Sequence, residues 1–230
     1  PTVVLAALLP LLADPPRRGI DEQRTELSLA ETVRRLRAVP SLRRFWATAF
    51  FLAAAAIGIF QLISVYFEEQ YGFGPQGRGA VQFLVGLGWV LGIFVGAAAA
   101  DRVPVARASL LALICAGGFA VTAAGALGMA VAPAMGFALL ATVVMASGNG
   151  VWQAPYFTAV GRIAPAGLSG QAYASATLFY ALGALVSVPV FFLGDWAGYR
   201  VGFGAVAGLA SVAALLARSV APLVEVDLGG

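Results

Sequence analysis

The chain has 230 residues, of which 60% are hydrophobic and 11% charged, with a formal net charge of +3 and a mean hydropathy of +0.89. Because soluble domains carry about 25% charged residues, this composition indicates an integral membrane protein. Every basic residue is Arg, there is no His, and the single Cys115 lies in an apolar run. The sequence therefore predicts no internal disulfide, no metal site and no cofactor.

Residues 1–13 open the chain with the apolar run PTVVLAALLPLLA. This run is too short to cross a bilayer and lacks the basic start of a signal peptide. We expect it to be the end of a truncated transmembrane helix, and the chain to be a fragment of a longer protein.

Residues 14–44 form a charged linker in which a short amphipathic helix is predicted. Ser28 and Glu31 give the S-x-x-E pattern of a capping box, which starts a helix by satisfying free backbone amides. The apolar residues that follow share one face, and Pro40 ends the run. We expect this helix on the inner membrane surface or against the cytoplasmic end of the bundle.

Six stretches are long and apolar enough to span a membrane, and none contains Asp, Glu or Arg. At 1.5 Å per residue, 22 residues reach about 33 Å, enough for the hydrocarbon core. Short loops rich in Gly and Pro separate the stretches, so neighbouring helices are expected to be antiparallel. The predicted spans are 45–67, 79–100, 108–130, 136–159, 172–193 and 201–217, which together make a six-helix transmembrane bundle over residues 45–217.

The Arg residues indicate how the bundle is oriented. Twelve of the 14 lie in the linker, in alternate loops and in the tail at 218–230, and only Arg78 and Arg200 lie on the opposite side. The first set should be cytoplasmic, and so should the C-terminus. The sequence pI of about 9.4 reflects scarce acids, and Arg beside helix ends suits membrane lipid better than nucleic acid.

A weak internal repeat relates the two halves of the bundle. DRVPVARASL follows the second span and GDWAGYRVGF follows the fifth, each with an Asp, then Pro or Gly, then an Arg. By the predicted orientation the first lies in the cytoplasm and the second outside. This arrangement predicts an all-α membrane protein with a 3+3 inverted repeat, the plan of many secondary transporters.

The fourth span contains the stretch SGNGVWQAPYF at 147–157, where Gly and Pro weaken the helix beside four polar or aromatic residues. The spacing i, i+3, i+4, i+7 places these four on one face. Polar groups with Gly and Pro interruptions in corresponding helices indicate a substrate site near the midplane. The four residues are Asn149, Trp152, Gln153 and Tyr156.

Further substrate-pathway candidates lie in three other spans. Gln61 and Ser64 occupy the first span, which corresponds to the fourth in the repeat, and Gln82 and Tyr180 lie in the second and fifth. A single amide in a membrane helix also commonly hydrogen-bonds to a neighbouring helix. For Gln61, or for Asn149 alone, both interpretations stay open. For the four-residue face we expect a water-filled cavity, because leaving so many polar groups dry and unpaired would be costly.

These segments resemble the C-terminal half of a major facilitator superfamily transporter, over about residues 1–220. The run SLAETVRRLRAVPSLRRFWATAFF looks like that family's central loop leading into its seventh helix, and residues 156–200 resemble its tenth-to-eleventh helix region. DRVPVAR is similar to the cytoplasmic G-x-x-x-D-R-x-G-R-R signature. It departs from the signature because Gly96 stands five residues before Asp101 and Pro104 replaces the second Gly.

The resemblance implies a twelve-helix protein whose first five helices and most of the sixth precede this chain. It also implies that helices seven and ten line the cavity, and that Asp101 and Arg102 brace a cytoplasmic gate. The alternative for this pair is that it only marks a helix end.

The function expected from the sequence is alternating-access transport of a small organic molecule, drug or metabolite across a bacterial cytoplasmic membrane. The expected partners are membrane lipid, the substrate and the missing N-terminal half. Two alternatives remain, a non-transporting membrane scaffold or subunit and an intramembrane enzyme. The enzyme is disfavoured because the spans contain neither His nor a carboxylate.

Overall fold

The computed structural model describes residues 28–229, without the side chains of Leu29, Gln61 and Leu228. The predicted helix end at 1–13 and the linker as far as residue 27 lie outside the described residues. Within 28–229 the chain is helical, with no strand. The helices are α1 Leu29–Ala38, α2 Pro40–Tyr71, α3 Pro75–Asp101, α4 Ser109–Ala130, α5 Met135–Val151, α6 Gln153–Ile163, α7 Ser169–Ala197 and α8 Tyr199–Gly229, with a short 3₁₀ helix at Val105–Arg107.

Six helical segments are long and apolar enough to cross a membrane, which confirms the predicted all-α six-helix bundle. They are α2, α3, α4, the pair α5 and α6, α7 and α8. Five of the six extend beyond their predicted spans because backbone chemistry, and not loss of apolar character, ends the helix, whereas α4 begins one residue inside its predicted span. For example, α2 begins at Pro40, whose ring suits the first helical turn, and stops at Gly72, which has a φ of 66°.

The predicted amphipathic helix is α1, and its start is confirmed. The Ser28 hydroxyl accepts a hydrogen bond from the Glu31 backbone N–H at 3.2 Å. Leu36 is buried in the hydrophobic core, so α1 lies against the bundle, while Val33 stays exposed. Hydrogen bonds from Arg35, and to a smaller extent from Arg34, lower the pKa of the Glu31 carboxyl below its usual value. Because these ion pairs are exposed to solvent, they contribute little to stability.

The glycines of α3 allow its backbone to touch α5. A side-chain carbon built on Gly92 would lie 2.0 Å from the Ser147 carbonyl oxygen, and one on Gly96 would lie 2.0 Å from that of Val151. Only a glycine fits at such separations. Close backbone approach of this kind is how helices associate in lipid, where no hydrophobic effect drives them together.

The opposite face of α5 touches α4 in the same way. A carbon on Gly125 would meet the Met145 backbone nitrogen at 2.5 Å, and one on Gly148 would meet that of Thr122 at 2.5 Å. A third glycine contact joins α7 to α2, because a carbon on Gly183 would lie 2.0 Å from the Phe50 carbonyl oxygen. Glycine contacts therefore fix α5 between α3 and α4, and α7 against α2.

Residues 218–229 continue α8 as a helix and contact the first turns of two other helices. The Asp227 carboxylate accepts hydrogen bonds from the Ser41 backbone N–H at 3.0 Å and from the Ser41 hydroxyl. The Ser109 hydroxyl donates to Glu225 at 2.7 Å. Acids at helix N-termini satisfy free N–H groups and interact favourably with the helix dipole. The segment predicted as a tail thus joins α8 to α2 and α4.

We predict that substituting Gly92→Ala lowers the melting temperature of the purified protein, whereas Gly86→Ala does not. The added carbon at Gly92 overlaps the Ser147 carbonyl, and overpacking of this kind costs about 1–3 kcal/mol. Gly86 lies in the same helix with no atom within 4 Å of an added carbon, so Ala there should stabilise α3 by about 0.5–1 kcal/mol. Equal melting temperatures for the two variants would contradict the contact.

We also predict that Asp227→Ala destabilises the bundle by about 1–3 kcal/mol, because a charged acceptor is lost from a buried serine. The measurement is thermal denaturation in detergent. Asp101→Ala is the matched control, since the Asp101 side chain is exposed and makes no hydrogen bond or ion pair with another described residue. An equal loss of stability in both variants would argue against a stabilising contact between Asp227 and Ser41.

Candidate functional site

The site begins at a break in the fourth span. Helix α5 ends at Val151, α6 begins at Gln153, and Trp152 lies between them. Pro155 has no N–H to donate to the Val151 carbonyl four residues earlier, and its ring crowds that oxygen. The same carbonyl points at Gly96 of α3, because a side-chain carbon built there would lie 2.0 Å from its oxygen. The sequence predicted weakness in this stretch, and the structure locates the break at Trp152.

A partly open cavity of about 210 Å³ adjoins this break, between α2, α6 and α7. It is lined by four aromatic side chains, the Gln153 amide, the Thr177 hydroxyl and two alanines, whose small side chains leave the cavity unfilled. Helices α6 and α7 make few contacts with each other, so the gap between them is not filled. The lining residues are Ala49, Trp152, Gln153, Tyr156, Phe157, Ala176, Thr177 and Tyr180.

The cavity lies on the α1 side of the middle of the bundle. Ala49 is nine residues after Pro40, the start of α2, and Thr177 is eight after Ser169, the start of α7. These separations correspond to about 13 Å along helices that are roughly 45 Å long. The cavity is therefore closer to the end of the bundle that carries α1 than to the opposite end.

The structure places at the cavity only three of the four residues that were predicted to share a helix face. Trp152, Gln153 and Tyr156 line the cavity, whereas Asn149 does not. The Asn149 amide oxygen instead accepts a hydrogen bond from the Trp152 indole N–H at 3.2 Å, and both residues are buried. Asn149 therefore fixes the orientation of the indole. The Cys115 thiol, also buried, lies 3.6 Å from the Trp152 carbonyl and further confines this turn.

Two polar groups at the cavity make no side-chain hydrogen bond with another described residue, the Gln153 amide and the Tyr180 hydroxyl. Two others already donate. The Tyr156 hydroxyl donates to the Phe45 carbonyl at 3.0 Å, and the Thr177 hydroxyl donates to the Tyr173 carbonyl at 3.0 Å. Gln153 and Tyr180 are consequently the donors and acceptors that a solute would meet first.

The remaining pathway candidates lie away from the cavity. Gln82 donates its amide N–H to the Phe60 carbonyl at 3.0 Å, which joins α3 to α2. Ser64 is half-buried on α2 and is not a lining residue. Gln61 belongs to α2, but its side chain lies outside the described residues. Neither Gln82 nor Ser64 is brought together with Trp152 and Gln153.

The predicted gate pair is exposed at the end of α3. Asp101 forms no ion pair with another described residue, and Arg102 donates to the Ala98 carbonyl of its own helix at 3.1 Å. A different arginine makes the cross-helix contact. Arg162, at the end of α6, donates from both terminal nitrogens to the Val103 carbonyl at 3.2 and 3.3 Å. Arg162 thus ties the fourth span to the α3–α4 loop.

Sequence reasoning did not select Ala49, Phe157 or Ala176 as lining residues. Alanine and phenylalanine are ordinary residues of any membrane helix, so composition alone gave no reason to select them. Helical spacing carried a usable signal, because Phe157 follows Gln153 by four residues and Ala176 precedes Tyr180 by four. Arg162 was counted for orientation only, although it stands one residue before the end of α6.

We predict that Asn149→Ala destabilises the protein by about 1–3 kcal/mol, because it leaves the buried Trp152 N–H without an acceptor. The cost should shrink by about 1 kcal/mol in a Trp152→Phe background, where that N–H is already absent. The measurement is a double-mutant cycle from denaturation midpoints. Additive effects of the two substitutions would show that the pair is not coupled.

The sequence and the fold point to the same family. The profile described as Major Facilitator Superfamily matches residues 1–188, and no curated protein matches the sequence. Among solved structures, the fold is similar to the crystal structure of the E. coli fucose:proton symporter, with a TM-score of 0.70 and 19% identity. The alignment covers 95% of this chain and 52% of that one, so this chain spans about half of the symporter's length. This chain is a multi-pass membrane protein that belongs to the Major Facilitator Superfamily.

Proposed function

We propose that this chain is the C-terminal half of a secondary active transporter that moves a small organic molecule, drug or metabolite by alternating access. The observation that carries the proposal is the partly open cavity beside the Trp152 break, lined by the polar groups of Gln153 and Tyr180, which no other described side chain engages. The fold of this family is built from 3+3 inverted repeats, with substrate sites near the repeat interface and at discontinuous helices. The break between α5 and α6 is such a discontinuity.

The surface of the bundle supports a second half packed on α3 and α7. Within their most apolar windows these helices are only 28% and 22% buried, against 39–62% for the other spans. Phe94 on α3 and Leu185 on α7 are each 69% exposed. A partner bundle seated there would close the cavity from the open side, and its rocking against this half would expose the site to each face of the membrane in turn.

The packing also supports movement as a rigid unit. The glycine contacts hold α5 against α3 and α4 through backbone atoms, and Arg162 ties α6 to the α3–α4 loop. Packed helices in such contact do not slide freely past one another. We therefore assign the motion to the bundle as a whole, with Asp101 and Arg102 available to contact the other half at the cytoplasmic gate.

For location, we propose the cytoplasmic membrane, with α1 and the end of α8 in the cytoplasm. The Arg distribution supports this orientation, and α1 contains Arg34, Arg35 and Arg37 where anionic lipid headgroups would lie. Membership of a transporter family argues against the intramembrane enzyme. The membrane scaffold stays as the alternative that the following experiment separates.

We expect Gln153→Cys to react with a membrane-impermeant thiol reagent from both faces of the membrane. The complete transporter is used, with Cys115→Ala to remove the only thiol of this chain, in right-side-out and inside-out vesicles. Leu113→Cys is the matched control, because Leu113 is 44% exposed on the outer face of α4, away from the cavity. Water in the cavity should make Gln153→Cys react at least about tenfold faster than Leu113→Cys, since thiolate forms far more readily in water than in lipid.

Each other outcome counts against part of the proposal. Reaction from one face only fits a static cavity in a scaffold and contradicts alternating access. Rates at position 153 no greater than at position 113 contradict a solvent-filled cavity.

A further inference from the structure

The rings beside the cavity form a layered group centred on Trp152. The Tyr180 ring is nearly parallel to the indole, with an interplanar angle of 26° and centroids 6.3 Å apart, and the Phe157 ring is tilted by 39° at 6.5 Å. The Tyr156 ring meets the indole edge-on at 85° and 5.5 Å. The Tyr180 and Tyr156 rings adopt the offset and edge-to-face geometries that aromatic rings prefer.

The members of this group differ in how much surface they offer to a solute. Trp152 is 5% exposed and Tyr156 is 1% exposed, so both are covered by protein, whereas Phe157 is 42% exposed. Tyr180 is half-buried, with one face towards the indole. The accessible surface of this wall is therefore a pair of rings, Phe157 and Tyr180, on a fixed aromatic floor.

This arrangement differs from a cage for a cation. A cage presents several ring faces around one point, but the face of Trp152 towards α7 is already occupied by Tyr180. Among the residues that the structure describes, no charged side chain lines the cavity. The Gln153 amide is both a donor and an acceptor, which suits a neutral group such as an amide or a hydroxyl.

The floor is also rigid. The Asn149 amide fixes the indole, the Tyr156 hydroxyl is bonded to the Phe45 carbonyl, and Phe119 packs on Trp152 from behind at 5.8 Å. A preorganised flat surface favours a flat ligand, because neither partner loses much conformational freedom on contact.

We propose that the substrate carries an uncharged planar aromatic ring, which packs against Phe157 and Tyr180 while a polar substituent bonds to the Gln153 amide. This inference rests on the proposed transport function and names the class of solute that this wall selects. Asn149 acts as a positioning residue in it, because it holds Trp152 and does not touch the solute.

Two small amides of matched size test the ring preference. Benzamide and cyclohexanecarboxamide share the polar group and differ in whether the ring is flat and aromatic. The reporter is the rate at which N-ethylmaleimide modifies Thr177→Cys in the complete transporter carrying Cys115→Ala, because Thr177 lines the cavity. Probes of this size are expected to bind weakly, so each is used at about 10 mM.

We expect benzamide to slow the modification about three- to tenfold more than cyclohexanecarboxamide does. Tyr180→Leu and Phe157→Leu should each reduce that preference, whereas Tyr180→Phe keeps the ring and should retain it. A single symmetrical peak in size-exclusion chromatography shows that each variant is folded, and retention in Tyr180→Phe shows that position 180 tolerates substitution.

Equal protection by the two amides, or protection by neither, would overturn the ring preference and leave transport standing. Protection by phenyltrimethylammonium but not by benzamide would overturn it in favour of a cation. If Thr177→Cys is not modified at all, solutes do not reach the cavity, and the proposed function itself fails.

Discussion

The bundle depends on helix backbones that touch where glycine leaves no side chain. Carbonyl oxygens of α5 lie only 2.0 Å from where side-chain carbons of Gly92 and Gly96 would be, and α4 contacts the opposite face of α5 through Gly125 and Gly148. In lipid, apolar side chains gain little by leaving one apolar environment for another, so close packing must supply the association energy. The fourth span is held on two sides by backbone atoms, which cannot adjust as side chains can. Every other feature of the site is placed relative to this fixed span.

The cavity follows from a defect in that span. Pro155 deprives the Val151 carbonyl of its helical partner, and Gly96 lets the oxygen point into the next helix instead of into an apolar void. The break turns Trp152 towards Asn149 and leaves Gln153 facing the space between α2 and α7. The same short stretch of sequence thus produces both the helix break and the site. The two amides that interrupt the apolar run have separate tasks, because one positions the indole and the other faces the cavity.

The sequence was sufficient for what depends on local chemistry. The six spans, the Ser28 cap and the weakness near Pro155 all follow from composition and spacing within one helix. It was insufficient where the answer depends on a distant partner. Helical spacing put Asn149 and Gln153 on one face, but competition from the Trp152 N–H removes Asn149 from the cavity wall. Likewise, nothing near Ser41 indicates that its acceptor is Asp227, 186 residues away. Ala49 and Ala176 line the cavity only because three helices diverge there.

The bond between Ser41 and Asp227 has a consequence for biosynthesis. A ribosome adding 5–20 residues per second needs roughly 10–40 s to translate the interval of 186 residues between them. During that time the first turn of α2 is already made but lacks its acceptor. A nascent chain that stalls before Glu225 lacks the acceptors of both Ser41 and Ser109, at the starts of α2 and α4. Synthesis past Asp227 therefore completes the polar contacts at these two helix starts, long after the first of them was made.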